Sequence, residues 1–145
     1  MAEPADQLAL VSLMRDFSEE VMAPLSATHI EAALTPLLND PSIGDIWVAE
    51  EQGLIGYLVI TWGWGIESGG REALIDEIFV DPAWRNMGIA SALIEASLAR
   101  AKGYQTKAVF LETEANNPES RELYERLGFS EESSIWMRCL LEGND

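Results

Sequence analysis

Arg85 and Gly88 stand three residues apart in "VDPAWRNMGIASALIEA" (Val80 to Ala96), where an apolar strand passes through a proline turn into the start of a helix. A helix N-terminus leaves backbone N–H groups unpaired and carries partial positive charge, so a glycine there lets a phosphate approach the backbone. Arg85 adds a charged, planar donor fork, and Asn86 or the Asp81-Pro82 turn can shape the entry. On its own the loop is equally well read as ordinary packing, with Gly88 permitting close helix–sheet approach and Arg85 a solvated charge. Just upstream, in "EALIDEIFV", two carboxylates are adjacent on a strand. Strict alternation puts Asp76 on the face of Leu74, Ile78 and Val80, and Glu77 on that of Ala73, Ile75 and Phe79, so one of the two is expected to face a cleft.

The elements that must hold these groups are legible from hydrophobic period. Leu8, Val11, Leu13, Met14 and Phe17 predict an amphipathic helix from Ala5 to about Val21, closed by Pro24. A second helix is expected from Ser26 or Thr28, with Pro36 as a kink or break and "NDPS" as its end. From Asp45 the period changes to that of strands. "DIWVAEE", a Gln52-Gly53 turn and "LIGYLVITW" form one hairpin, and the Gly69-Gly70 turn leads into a strand from Glu72 to Val80. A helix from about Met87 to Lys102, a strand from Ala108 to Glu114, a helix from Pro118 to about Leu127 and a last strand near Ile135 to Leu140 complete the order. A meander followed by β-α-β crossovers implies an α/β fold, with a mixed, mostly antiparallel central sheet flanked by helices on both faces. Ligands gather just past the strand ends of such sheets.

The chain has 145 residues, enough for one core, and is expected to be a single domain over 1–145. Nine basic against twenty-five acidic residues leave a net charge of −16, which repels phosphate backbones and anionic membranes and draws in cations. Nucleic acid and membrane are therefore not expected as partners. Cys139 is the only cysteine, so no intrachain disulfide or thiolate cluster can form, and a cytoplasmic setting fits. "MAEPADQLAL" lacks a signal-type n-region, and no segment approaches the ~20 apolar residues of a membrane span. His29 has no partner at metal-ligand spacing, so a surface or capping role is expected and no metal site.

The glycine loop is neither the three-glycine dinucleotide fingerprint nor a P-loop. R-x-x-G-x-A after "DEIFV", followed about thirty residues on by "LETEANNPESRELYERLGF", resembles the GNAT acetyltransferase superfamily. Its members carry an R/Q-x-x-G-x-G/A loop for the coenzyme A pyrophosphate and a downstream Asn…Tyr-x-x-x-Gly-Phe segment. The resemblance covers about Asp6 to Leu140. It implies a sheet splayed open between its fourth and fifth strands, with acetyl-CoA as co-substrate. Phe79 and Val80 would lend backbone to the pantetheine arm, Arg85, Asn86, Met87, Gly88, Ile89, Ala90 and Ser91 would surround the pyrophosphate, and Asn117 and Ser120 would lie near the arm or the thioester. Family members usually open with a strand before the first helix, which here is short or missing. Asn86 and Met87 also leave fewer donors than is usual in such loops.

Tyr124 matches the tyrosine that in many members sits near the thioester sulfur, where a phenol can protonate the leaving thiolate. The attacking amine must lose a proton. By resemblance the carboxylate for this is Asp76 in many members and Glu112 in the ribosomal-protein N-terminal acetyltransferases, and Glu77 is a third candidate because a β-bulge can re-aim a side chain. The acceptor side is expected to draw on Glu20, Trp62, Trp64 and Glu67, since carboxylates with aromatic faces suit a cation. The resemblance thus implies direct acetyl transfer to a primary amine of a small cationic molecule. A protein N-terminal or lysine acetyltransferase and a non-catalytic acyl-CoA sensor are the alternatives. Dimers are common among similar proteins, and a homodimer is one expectation.

Overall fold

In the computed structural model, which describes residues 1–141, the first amphipathic segment forms α1 (Gln7–Glu20) after a short 3-10 turn at Pro4–Asp6. α2 (Ala27–Asn39) starts from Ser26, whose hydroxyl accepts the His29 backbone N–H at 3.1 Å. Pro36 lies inside α2 and does not break it. The proline removes one backbone donor, and the Ala32 carbonyl that loses it belongs to an exposed residue and can turn to water.

The expected meander is present as β1 (Gly44–Glu50), β2 (Leu54–Gly65) and β3 (Gly70–Val80), each antiparallel to the next. The turn between β2 and β3 uses the positive φ of Gly69, at 82°. α3 (Ile89–Gly103) crosses over to β4 (Ala108–Leu111), which runs parallel to β3 and completes a four-stranded sheet in the order β1-β2-β3-β4. Among the described residues no strand precedes α1. Ala2 alone reaches the outer edge of β1, donating its N–H to the Ile46 carbonyl at 2.8 Å.

Leu10, Leu13, Ile30 and Leu34 of the first two helices are buried with Ile46, Tyr57, Val59 and Phe79 of the sheet. The alternate residues of β2, Leu58 and Ile60, are buried on the other side, where α3 packs with Leu93 and Ile94. The sheet therefore has a helix layer on each face. Asp45, 4% exposed, is held on the α3 side by Arg100 Nε at 3.0 Å. Replacing Arg100 with methionine is expected to cost about 2–3 kcal/mol, because it strands a buried carboxylate. Asp45→Asn should cost less, since Arg100 retains access to water, and denaturant titration of both variants tests the order.

The polypeptide divides into two compact units, Met1–Glu114 and one beginning at Ala115. The second carries α4 (Pro118–Arg126). The strand expected at Ile135–Leu140 is not formed: residues 130–141 are irregular, and Ile135, Trp136, Met137 and Leu140 are exposed. β-propensity supplies a side-chain preference only, whereas a strand exists through pairing with a neighbouring backbone, and this stretch pairs with none among the described residues. Among the described residues no helix is long and apolar enough to cross a membrane.

Candidate active site

The β2–β3 ladder slips by one residue at Asp76: Glu77 lies opposite Val59, but Ile60 lies opposite Ile75. Asp76 is the extra residue of a β-bulge, and the strand changes phase across it. The faces expected from strict alternation are therefore corrected. Ala73 and Ile75 share the α3 side with Ile78 and Val80, while Leu74, Glu77 and Phe79 face α1 and α2. Glu77 is thereby brought to the face that carries Tyr57, whose hydroxyl donates to Glu77 Oε1 at 3.2 Å.

Burial first, and then the nearby charge of Asp76, push Glu77 up to about 7 against the opposing effect of the Tyr57 hydrogen bond. Asp76 is exposed, and partial desolvation lifts its carboxyl above the ordinary aspartate value. Of the two, Glu77 is the better enclosed.

β4 pairs with β3 only over Glu72–Ile75, so among the described residues the β4-side edge of β3 has no strand partner from Asp76 to Val80. This is the opening that the resemblance implied. Glu112, exposed, follows Leu111, whose partner is Ile75, so Asp76 and Glu112 are the residues immediately past the last rung where the strands part.

The strand end leads through Asp81, which accepts the Ala83 N–H at 2.9 Å, and a 3-10 turn at Pro82–Trp84 into the glycine loop. Asn86 and Gly88 are left-handed, at φ 62° and 77°, and Gly88 is the N-cap of α3. The first helical bond to Gly88 comes from the Ala92 N–H, leaving the amides of Ile89, Ala90 and Ser91 without intrahelical acceptors. A Cβ at Gly88 would meet nothing within 4 Å, so the space beside this residue is open.

Arg85 is already engaged. Its Nη2 pairs with Glu20 at 2.6 Å, its Nε donates to the Val80 carbonyl at 2.8 Å, and its guanidinium lies 5.5 Å from the centre of the Phe79 ring. An exposed pair of this kind contributes little net stability, so an incoming anion can displace Glu20.

The four expected acceptor residues do not form one cluster. Trp62 donates its indole N–H to the Pro41 carbonyl at 3.2 Å and meets Tyr104 edge-on at 5.2 Å, on the face opposite Glu77. Arg100 lies 4.7 Å above the same Tyr104 ring, which makes Trp62 part of a packed structural stack. Trp64 and Glu67 are exposed at the far end of the β2–β3 hairpin, and Glu20 is paired with Arg85. Tyr57 was missed by sequence reasoning. Its signal was a tyrosine in an otherwise apolar strand core.

Within the second unit, the Asn117 side chain caps α4 by accepting the Ser120 N–H at 3.2 Å. Gly128, at φ 98°, ends the helix, and the Phe129 N–H returns to the Tyr124 carbonyl at 3.0 Å. That turn sets Phe129 edge-on to Tyr124 at 6.2 Å, which is the physical content of the Tyr-x-x-x-Gly-Phe spacing. Burial raises the Tyr124 phenol above its ordinary value, a hydrogen bond with Ser120 opposing it, so the group stays protonated near neutral pH.

Residues 10–129 match the model of the Acetyltransferase (GNAT) family. The chain is 29% identical over 141 residues to the uncharacterized N-acetyltransferase YhfO of Bacillus subtilis, covering 96% of this chain and 93% of that protein. To the uncharacterized N-acetyltransferase MJ1207 of Methanocaldococcus jannaschii it is 37% identical over 89 residues, which is 59% of this chain but 39% of that relative's length. It superposes on the integron cassette protein HFX_CASS3 from the mobile metagenome of Cole Harbour Salt Marsh with a TM-score of 0.86 and 30% identity, over 97% of this chain and 88% of that one. Because the family match runs from the first helix through Phe129, taking in the opened sheet, the Gly88 loop and the Tyr124 segment alike, the chain belongs to the GNAT family of acetyltransferases.

Proposed function

We propose that this protein moves the acetyl group of acetyl-CoA onto a primary amine of a small cationic molecule, in a ternary complex, with Glu77 as the general base. The single observation that carries the reading is the bulge at Asp76, which sets a half-buried carboxylate of pKa about 7 one residue from the strand opening. A base with that affinity is about half ionised at neutral pH and can accept a proton from an ammonium group.

The chain fits the co-substrate. The three unpaired amides of the α3 first turn and the open space at Gly88 suit a pyrophosphate, the unpartnered edge of β3 suits an extended amide chain, and Arg85 adds charge once Glu20 is displaced. Acetyl-CoA supplies a thioester, whose carbonyl carbon is the electrophile. Glu77 takes a proton from the acceptor ammonium. The neutral amine nitrogen then bonds to the carbonyl carbon as the carbon–sulfur bond breaks, the departing thiolate receives a proton from the Tyr124 phenol, and the second proton lost by nitrogen restores that phenol. The amide, free coenzyme A and one proton returned to solvent balance the reaction. The family match crosses the boundary at Ala115, which supports reading residues 1–145 as one catalytic domain.

Asp76 and Glu112, both exposed just past the last β3–β4 rung, and the net charge of −16 support a cationic acceptor. Thiol release from acetyl-CoA, followed with polyamines, amino acids, amino sugars and peptides bearing free N-termini, tests this. Turnover is expected to be fastest with the di- and polyamines. Turnover with peptide N-termini alone would overturn the acceptor class, and coenzyme binding without turnover on any amine would overturn the enzyme reading.

A further inference from the structure

Tyr57 is wholly buried, at 0% exposure, in the core between α1, α2 and the sheet. Val48 and Phe79 lie opposite it on the two neighbouring strands, and its ring is tilted against that of Phe79 at 6.1 Å. At such a position packing alone is best served by phenylalanine, because a buried hydroxyl must find a partner or cost free energy. Among the described residues the Tyr57 hydroxyl has one partner, Glu77 Oε1 at 3.2 Å.

The two ends of that bond differ in freedom. The phenol is fixed by its enclosure, while a glutamate side chain beside a bulge has several rotamers open to it. A fixed donor facing a mobile carboxylate selects one of those rotamers.

We propose that Tyr57 is a positioning residue for acetyl transfer, its core-locked hydroxyl holding the Glu77 carboxylate in a single orientation through a hydrogen bond across the β2–β3 pair. The inference rests on the reading of Glu77 as the base. Among the described residues Tyr57 is the one side chain that bonds to this carboxylate. Asp76 is adjacent on β3, and β2 carries no charged residue. The charged residues of α1 (Arg15, Asp16, Glu19 and Glu20) are exposed, Glu20 being paired with Arg85, and Glu112 beyond β4 is exposed. Tyr57→Phe removes a bond that favours the ionised carboxylate, so Glu77 in the variant should lose its proton only at higher pH.

The test compares wild type, Tyr57→Phe, Glu77→Gln and the double variant in kcat/KM against pH, using acetyl-CoA and the best amine of the panel above. The Glu77 carboxyl carbon is titrated in parallel by 13C NMR, its resonance identified by its loss in Glu77→Gln. For Tyr57→Phe the acidic limb and the NMR midpoint are expected to move up by about one pH unit. Activity at pH 6 should fall about tenfold, and the loss should vanish when Glu77 is already glutamine. If Glu77→Gln collapses activity while Tyr57→Phe leaves both the limb and the midpoint in place, the positioning role is wrong and the base reading stands. A Tyr57→Phe loss that persists undiminished in the Glu77→Gln background makes Tyr57 structural only. If Glu77→Gln itself leaves the profile unchanged, the base reading is wrong and this inference falls with it.

Discussion

Glu77→Gln is expected to lower kcat/KM by about 10²–10⁴ and to erase the acidic limb near pH 7, the range typical of losing a positioned general base. The wild-type limb has a definite sign: a Glu77 base acts as the carboxylate, so activity should rise as pH climbs through about 7 if the proposal holds. The same substitution has an opposite effect on stability. Folding raises the Glu77 pKa from 4.5 to about 7, so the folded protein holds a proton that the unfolded chain has already released across that interval. The protonated form favours the fold, and this contribution is present below about pH 4.5 and lost as pH rises through 7. A neutral amide escapes the loss, and Glu77→Gln should therefore be more stable than wild type at pH 8, by roughly 2 kcal/mol in denaturant titration. A variant that is both more stable and nearly inactive separates catalysis from folding. An unchanged pH profile in Glu77→Gln would transfer the base assignment to Asp76 or Glu112.

The second large effect is expected at Gly88. Asparagine tolerates the left-handed region, and a Cβ there meets no protein atom within 4 Å, so Gly88→Asn should fold with near wild-type stability. Its side chain would occupy the open space beside position 88, at the start of α3. KM for acetyl-CoA is expected to rise about 10- to 100-fold with little change in kcat, the mark of an interaction lost equally in ground and transition states. Wild-type affinity in Gly88→Asn would exclude this loop as the pyrophosphate site. An equal drop in kcat would place the disturbance at the chemical step instead.

The helices and the meander were readable because their side-chain periods are local. Leu10, Val11, Leu13 and Met14 are buried on one stripe of α1, and the Gly69-Gly70 turn falls between β2 and β3 as expected. The Gly88 loop and the Tyr124 segment were readable for a related reason, since each is a contiguous motif whose glycine does a specific backbone task. What escaped depended on partners distant in sequence. The slip at Asp76 is a property of the β2–β3 pair, and neither strand alone records it. Arg85 looked like free charge because Glu20, which neutralises it, lies 65 residues away. Trp62 resembled a ligand face until Tyr104 supplied the surface it packs against. The Ile135–Leu140 segment had strand chemistry but forms no strand.

The extra residue in β3 acts as a frameshift does in a coding sequence. Upstream of Asp76 the odd-numbered positions are read by α3, and downstream the even-numbered ones are. Were Asp76 paired as a regular strand residue instead, the following stretch would keep the earlier phase, turning the carboxylate at Glu77 away from Tyr57 and carrying Phe79 out of the α1 core with it. The placement of the Glu77 carboxylate and the packing of Phe79 are thus coupled by a single insertion. Substitutions at Asp76 can vary chemically while its place in the count is preserved, and an ungapped comparison with an unbulged strand would assign every residue from Glu77 to Val80 to the wrong side of the sheet.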